Sequence, residues 1–497
     1  MTTPIDNPPV STKPFRRRRG RLLFMFAAFG TVVALLYTEE NWRGRRDLEA
    51  YRREIAAKGE KLDWNDFVKP PVPDDQNFLK APLMDGWFNL ATTNKPKADR
   101  LIQWPRWLRH VPPGMAELKS WDKLSQSDGL NKKEAPTEGE RAETPAEELL
   151  RWFAQYDKQF KALFEASERP QARLDRAFDA PWSDHILNYV SLRTMSQILA
   201  ARAEAYLMVG RPEEAARDLR VIRRLMDLQD AAQPTLVSAM IRVAIGGLYA
   251  EVVVEGWREG LWREPQWIEI EEQLRPVHFL ADLAGSFRGG ERAGIIEVFD
   301  HFSRARMAML FDITRMRNVI SGKAPTWMTE RGLYNWLAPR GWFCQNELLG
   351  ALIYQTILDD IDLANDRISP SSLNRDLDGI EHSVEGRSPY NFLVVVGIPN
   401  FRKAVAVTTR NQTLVNEVRI VCALERHKKA MGQYPETLDA LAPIYIEKLS
   451  RELVNGQPLK YRRNNDGTFL LYSVGWDEKD DGGSPDKDWV WGEAVWK

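Results

Sequence analysis

This chain has few cysteines, a net charge near zero and none of the common catalytic motifs. Two cysteines among 497 residues, Cys344 and Cys422, exclude a disulfide framework and cannot make a zinc site by themselves. The 69 Lys and Arg balance 70 Asp and Glu, so no global field draws nucleic acid, and we expect no nucleic-acid partner. No nucleophile elbow, phosphate-binding loop, dinucleotide fingerprint or HExxH motif occurs. The sequence therefore names no reaction.

Long hydrophobic runs are scarce as well. Charged residues make up 28% of the chain, which excludes a polytopic membrane protein. The 43% hydrophobic content and the 18 tryptophans equally exclude a disordered chain, because so much apolar surface can be buried. The length predicts two to four domains.

One apolar run, residues 22–38, stands out because its 17 residues carry no charge. As a helix it spans roughly 25 Å, near the lower limit for crossing a bilayer. Arginines abut one end, and Tyr37 and Trp42 lie at the other, where interfacial aromatics belong. A cleaved signal peptide and a buried soluble helix are the alternatives, but no small-x-small cleavage site follows the run. We interpret it as a single-pass signal anchor.

The charges that flank the run predict its orientation by a small margin. Residues 1–21 carry six Lys and Arg, and residues 39–53 carry five. The tetra-arginine cluster touches the membrane directly, whereas Glu39 and Glu40 come first on the other side. The positive-inside rule thus favours a cytoplasmic N-terminus. We expect the rest of the chain to face the periplasm or the exterior.

Composition and periodicity divide the chain into segments of a mainly α protein. The pattern turns helical near residue 147 and stays so, and only the last hundred residues add two strands around the turn at 464–467. The predicted order is a basic Pro-rich cytoplasmic tail (1–21), the transmembrane anchor (22–38), a stalk helix and extended Pro-rich segment (39–121), a linker (122–146), a large α-helical domain (147–365), a connector (366–399) and a small C-terminal α+β module (400–497).

Residues 201–225 resemble one tetratricopeptide repeat. Ala203 and Ala205 take the small close-packing positions, Gly210 the turn, and Ala215 and Leu219 the second helix. No second or third copy follows at that period, and a solenoid needs at least three. An ordinary helical hairpin and a degenerate peptide-binding array both fit the segment.

The C-terminal motifs carry a second resemblance. A helix runs into Gly432, a hairpin follows, and an acidic glycine-containing loop ends the module. This order is similar to the globular domain of the major pseudopilin of type II secretion, over roughly residues 405–490. The long distance from the anchor departs from that family and argues against a pilus subunit, and the layout resembles uncharacterised bacterial envelope proteins. The matching residues are Gly432, Tyr434, Pro435, Thr437, Leu438, Leu441, Gly456, Pro458, Leu459, Tyr461, Tyr472, Ser473, Gly475 and Asp477.

In the pseudopilin family the loop after the second strand binds calcium, so the resemblance implies a calcium site here. Calcium takes six to eight oxygen ligands in flexible geometry. The alternative is a solvated acidic turn without metal. The candidate ligands are Asp477, Asp480, Asp481, Asp486 and Asp488.

Six histidines offer one other candidate site. Glu297 and His301 are spaced four apart on a predicted helix, and His278 precedes them. Metal-assisted hydrolysis needs three or four such groups to converge, whereas helix-stabilising surface pairs need no convergence.

The leading interpretation is a membrane-tethered envelope scaffold with a protein partner, placed in the bacterial inner (cytoplasmic) membrane. The alternative is a metal-assisted envelope hydrolase with its site in the helical domain.

Overall fold

The computed structural model describes most of the chain. The described residues are 15–84 without 69 and 71, 102–172 without 109–111 and 128, 189–300 without 228–234, 338–395 without 387, and 401–493. The first 14 residues of the predicted tail, His301 and Trp496 lie outside these ranges.

The chain is mainly helical, as predicted, and divides into two compact units. Unit 1 comprises residues 1–60, 299–350 and 386–397. Unit 2 comprises residues 61–298, 351–385 and 398–497. The C-terminal residues from 398 onward belong to unit 2 and share one core with the helices before them.

Unit 1 is built around helix α1 (Phe15–Ala57), which is 43 residues long. Nine of its large apolar side chains between Leu22 and Leu36 are 51–73% exposed. Beyond them a buried stripe of Leu48, Tyr51 and Ile55 follows helical spacing. The predicted stalk helix is therefore the continuation of the apolar helix, and its far half is a folded part of unit 1.

The start of helix α11 (Arg340–Asp359) crosses α1 without room for side chains. A Cβ atom on Gly44 would lie 2.4 Å from the Gly341 carbonyl oxygen. The Gly341 backbone N–H also donates to the Asn41 side chain at 2.8 Å. Both glycines are needed because the two backbones touch. The short helix α13 (Phe392–Val395) completes the described part of unit 1.

The described part of unit 2 is a helical body with a two-stranded and a three-stranded sheet. Its core helix α8 (Leu236–Arg258) is long and apolar enough to cross a membrane, but 72% of its apolar window is buried inside the unit. The helices before α11 are α2 (Met115–Leu118), α3 (Trp121–Gln126), α4 (Pro145–Ala154), α5 (Asp157–Ser167), α6 (Tyr189–Met208), α7 (Pro212–Asp227), α8 (Leu236–Arg258), α9 (Glu264–Leu274) and α10 (Phe279–Ser286).

Helices α6 and α7 form the hairpin expected from the repeat-like segment. Gly210 sits in the turn with a φ of +75°, a conformation that glycine adopts without strain. Ala203, Ala205 and Ala215 are fully buried, which lets the helices approach closely. The hairpin packs on α8 within the common core.

Two segments expected to be loop are partly ordered. Residues 122–146 include most of α3, and Leu124 and Leu130 enter the core. Helix α12 (Pro370–Ser383) lies within the predicted connector. The Ser369 hydroxyl accepts the Ser372 N–H and caps this helix, so the Ser-Pro pair marks a helix start here. A two-residue hairpin, β1 (Ile361–Asp362) with β2 (Arg367–Ile368), precedes it.

The C-terminal hairpin forms as predicted, and a third strand is added to it. Helix α14 (Phe401–Met431) packs on α8, α9 and α10. Strands β3 (Lys460–Arg463) and β4 (Phe469–Ser473) are antiparallel, and β5 (Trp489–Val490) pairs with the other edge of β4. The strand β5 therefore returns the acidic loop to the sheet.

Candidate functional site

The acidic loop, residues 474–488, leaves the end of β4 and returns through β5. Ser473 pairs with Trp489 in the ladder, so the two ends of the loop are held side by side. Gly475 has a φ of +73°, and a Cβ atom there would lie 2.8 Å from the Lys487 carbonyl oxygen. Only glycine allows the returning chain to approach this closely.

Asp488 organises the turn from inside the loop. Its carboxylate is 3% exposed and accepts backbone N–H groups of Gly483 at 2.7 Å and Ser484 at 3.1 Å. A longer bond at 3.4 Å comes from the Asp481 N–H. Charge-assisted bonds of this kind are among the stronger ones in proteins. The loop thus has a source of order that needs no cation.

Two further aspartates in the loop are paired with lysines. Asp480 lies 3.1 Å from the Lys460 ammonium, and Asp481 lies 2.9 Å from that of Lys487. The Tyr472 hydroxyl donates to Asp480 at 2.9 Å, and this bond lowers the pKa of Asp480. A calcium ion would have to compete with both ammonium groups for these carboxylates.

The remaining candidate ligands lie apart from this arrangement. Asp477 accepts the N–H of Lys479 at 3.1 Å and is exposed, as is Asp486. Within the described residues, no three carboxylate, imidazole or thiol groups are placed to hold a metal ion. The five aspartates share one loop, and calcium binding there stays a prediction.

The histidine site does not assemble from its described members. His278 precedes α10, and helical structure then runs without a break through the π-helical turn Phe287–Ala293 to residue 300. At ~1.5 Å per residue, His278 and Glu297 are roughly 28 Å apart along this axis. His278 is exposed, and burial raises the pKa of Asp366 while the nearby His278 opposes that shift. The separation of His278 and Glu297 along one helix does not favour a shared site, which stays a prediction because His301 lies outside the described residues.

Polar side chains buried along α14 are a feature that the sequence analysis missed. The Gln412 side chain accepts the Phe279 N–H at 2.6 Å and donates to the Val277 carbonyl at 3.3 Å. It caps the start of α10 from another helix, since His278 makes no side-chain cap. The signal was a polar stretch, TTRNQT, inside a helix that continues without a break.

Two buried glutamates, Glu417 and Glu452, lie next to this stretch and repel each other electrostatically when both are charged. Glu417 on α14 is 3% exposed, and its Oε1 atom has no hydrogen-bond partner among the described residues. Burial raises the pKa of Glu417 well above its usual value, and the nearby Glu452 raises it further. Glu452 accepts the Ser473 hydroxyl at 2.6 Å and the Val474 N–H at 3.1 Å, which fixes the start of the acidic loop.

Trp491, near the end of the described residues, packs as a core side chain. Trp491 is 6% exposed, and its ring lies 5.4 Å from that of Trp257 on α8. The Trp257 Nε1 and the Tyr434 hydroxyl both donate to Glu425, at 2.7 Å and 2.5 Å. These contacts anchor the end of the described chain to α8 and α14.

Glu40 lies on α1 just beyond the apolar run, and its carboxylate has several hydrogen-bond partners. Glu40 is 6% exposed and accepts the Trp342 Nε1 at 3.0 Å and the Tyr390 hydroxyl at 3.0 Å. The Arg43 guanidinium pairs with it at 2.8 Å. Folded structure thus begins within two residues of the end of the apolar run.

Comparison of the chain with protein-family models, with curated proteins and with solved structures finds no match. Function is therefore inferred from the residues and contacts of the chain itself.

Proposed function

We propose that the protein is a membrane-tethered scaffold of the bacterial envelope that holds a protein partner. Helix α1 supports the tether, because this single helix joins an exposed apolar run to buried contacts in unit 1. The exposed leucines and phenylalanines have the length and composition of a bilayer span. Glu40, buried directly after them, ties the span to folded structure.

The pseudopilin-like interpretation of the C-terminus belongs to this proposal. The order of α14, a left-handed Gly432, a hairpin and a returning acidic loop supports it. The buried Tyr434 and its bond to Glu425 give the Gly-x-Tyr-Pro motif a structural role. The module shares the core of unit 2, so it is the end of a larger body.

Two exposed apolar side chains near the C-terminal end of α14, Ile444 and Met431, offer a docking point that we call the tip. Ile444 is 72% exposed and Met431, at the end of α14, is 63% exposed. Tyr445 is held beside α14 through a ring contact with His427 at 5.5 Å and an Arg426 bond to its carbonyl at 2.8 Å. The tip is therefore fixed in place while its apolar side chains face solvent, as a partner-binding surface requires.

A photo-crosslinking amino acid at Ile444 tests the scaffold proposal. We expect a discrete cross-linked species in intact membranes from this position. The control is Lys161 on α5, whose side chain is 78% exposed and lies outside the tip. Identical patterns from both positions would contradict docking at the tip.

Orientation is tested by cysteine labelling. The native Cys344 and Cys422 are buried, so an exposed Ala440→Cys would report the side of unit 2. We expect Ala440→Cys to react with a membrane-impermeant maleimide in intact spheroplasts, and Ser11→Cys to react only after lysis. The reverse pattern would place the bulk of the chain in the cytoplasm.

A further inference from the structure

One face of α1 carries a tryptophan and two arginines just beyond the apolar run. Trp42, Arg45 and Arg46 are spaced at i, i+3 and i+4, so they share a face. Trp42 is 60% exposed, and the Arg46 guanidinium lies 4.8 Å from its ring centroid. The opposite face is buried through Gly44 and Leu48.

A third arginine lies at the start of α11, the helix that crosses the opposite face of α1 at Gly44. Arg340 is exposed at the start of α11, next to Gly341, whose N–H bonds to Asn41 of α1. In the described part of the chain, neither Arg45 nor Arg340 has a carboxylate within salt-bridge distance, whereas Arg46 pairs with Asp47 at 2.7 Å. We call Arg45, Arg46 and Arg340, together with Trp42, the basic collar.

The collar lies at the depth of lipid head groups. Trp42 is roughly 6 Å and Arg45 roughly 10 Å past residue 38, at ~1.5 Å per residue. The polar layer on each side of the hydrocarbon core is about 5–8 Å deep, and a long arginine side chain can bend back toward it. An exposed tryptophan with cations beside it is the composition of an interfacial anchor.

We propose that the basic collar binds the phosphates of anionic phospholipids and seats unit 1 against the bilayer. The binding rests on the proposed membrane tether, since it requires α1 to span. It does not depend on orientation, because the collar adjoins whichever leaflet receives the end of the run. Arg45 and Arg340, which form no salt bridge with the described residues, supply the positive charge, and Trp42 fills the ester region.

Lipid selectivity of the full chain tests this inference. The chain is reconstituted in phosphatidylcholine bilayers with trace spin-labelled phosphatidylglycerol or phosphatidylcholine, and the motionally restricted fraction of each label is measured. We expect a larger restricted fraction for phosphatidylglycerol than for phosphatidylcholine. Neutralising one arginine should reduce the relative affinity for phosphatidylglycerol by up to about fivefold. Arg45→Gln with Arg340→Gln should therefore lose much of the preference, and Arg45→Lys with Arg340→Lys should keep it.

Two controls separate the possible failures. Arg263→Gln removes an exposed charge from unit 2 and should leave selectivity unchanged. Replacing Arg16 to Arg19 by glutamine isolates the contribution of the tail on the other side of the run. If the tail variant loses all preference and the Arg45/Arg340 variant loses none, the collar proposal is overturned while the tether stands. If neither label is restricted, α1 does not span and both proposals fail.

Discussion

Glu417 is a single residue whose environment sets a pH dependence for the whole fold. Its carboxyl is buried, Oε1 is unpartnered among the described residues, and burial raises its pKa well above the usual range. Such a group binds its proton more tightly when folded. Stability therefore falls as pH rises from about 4.3 toward the folded-state pKa.

We expect Glu417→Gln to stabilise the chain at pH 8 and to have little effect near pH 4. The gain is about 1.4 kcal/mol for each unit by which the folded pKa is raised. Thermal melts in detergent across this pH range measure it, with the exposed Glu447→Gln as the control. A Glu417→Gln protein that is less stable at pH 8 would show that the carboxylate is needed there.

The Arg202–Asp218 pair inside the α6–α7 hairpin is a buried ion pair that contributes to stability. Arg202 is 4% exposed, Asp218 is fully buried, and Arg202 Nε donates to Asp218 at 2.8 Å. We expect Asp218→Asn to cost about 3–5 kcal/mol, because it leaves a buried cation uncompensated. The exposed Arg211–Glu214 pair on the same hairpin is the control, and Glu214→Gln should cost about 0–1 kcal/mol. Urea unfolding compares the two, and equal costs would contradict the buried pairing.

At the scale of elements, the crossing of α1 and α11 depends on two glycines. We expect Gly44→Ala to push the backbones apart and destabilise unit 1 by about 1–3 kcal/mol. Gly30→Ala in the apolar run is the control, because nothing lies within 4 Å of its Cβ position. Hydrogen exchange of residues 40–57 reports the difference. Equal protection in both variants would mean that the crossing does not hold unit 1 together.

The acidic loop is an element that already orders itself, so calcium would add to existing stability. We expect calcium to raise the melting temperature of the full chain above that in chelator, with about 2.7 kcal/mol gained at 100 times Kd. Magnesium should do less because it demands tighter geometry. Lys487→Gln should enlarge the response, since it frees Asp481 from its ammonium partner.

Two aspartate variants test where the calcium binds. Asp481→Asn should remove the calcium response, whereas the exposed Asp439→Asn, outside the loop, should keep it. Melting curves that coincide in calcium and chelator would leave an acidic turn capped by Asp488.

Elements formed by local patterns could be predicted from the sequence. The continuous α1, the α6–α7 hairpin and the β3–β4 hairpin each follow from periodicity or a turn signal. Helix α12 was missed because Ser-Pro marks both loops and helix starts. The polar stretch of α14 resembles a surface, and its burial depends on α10, a helix more than a hundred residues away in the chain.

At the scale of the whole molecule, the assembly of unit 1 could not be predicted. Its described contacts join α1 to Gly341 and Tyr390, which lie 300 and 350 residues later in the chain. No local pattern links Glu40 to Trp342 or Gly44 to Gly341. The acidic loop could be found because its aspartates lie close together in the sequence. His278 and Glu297, by contrast, are separated by a helix whose length the spacing of the histidines does not reveal.

The proposed membrane tether requires that residues 22–38 remain in the mature chain. Alkaline carbonate extraction of membranes, with a tag at each end of the chain, measures this. We expect both tags in the membrane pellet on one full-length species of 57.2 kDa plus the tags. A chain lacking residues 1–38 should appear in the soluble fraction, because Glu40 and the contacts of unit 1 are kept. A full-length chain released by carbonate would show that residues 22–38 do not anchor it. A shortened species without the N-terminal tag would show that these residues are removed.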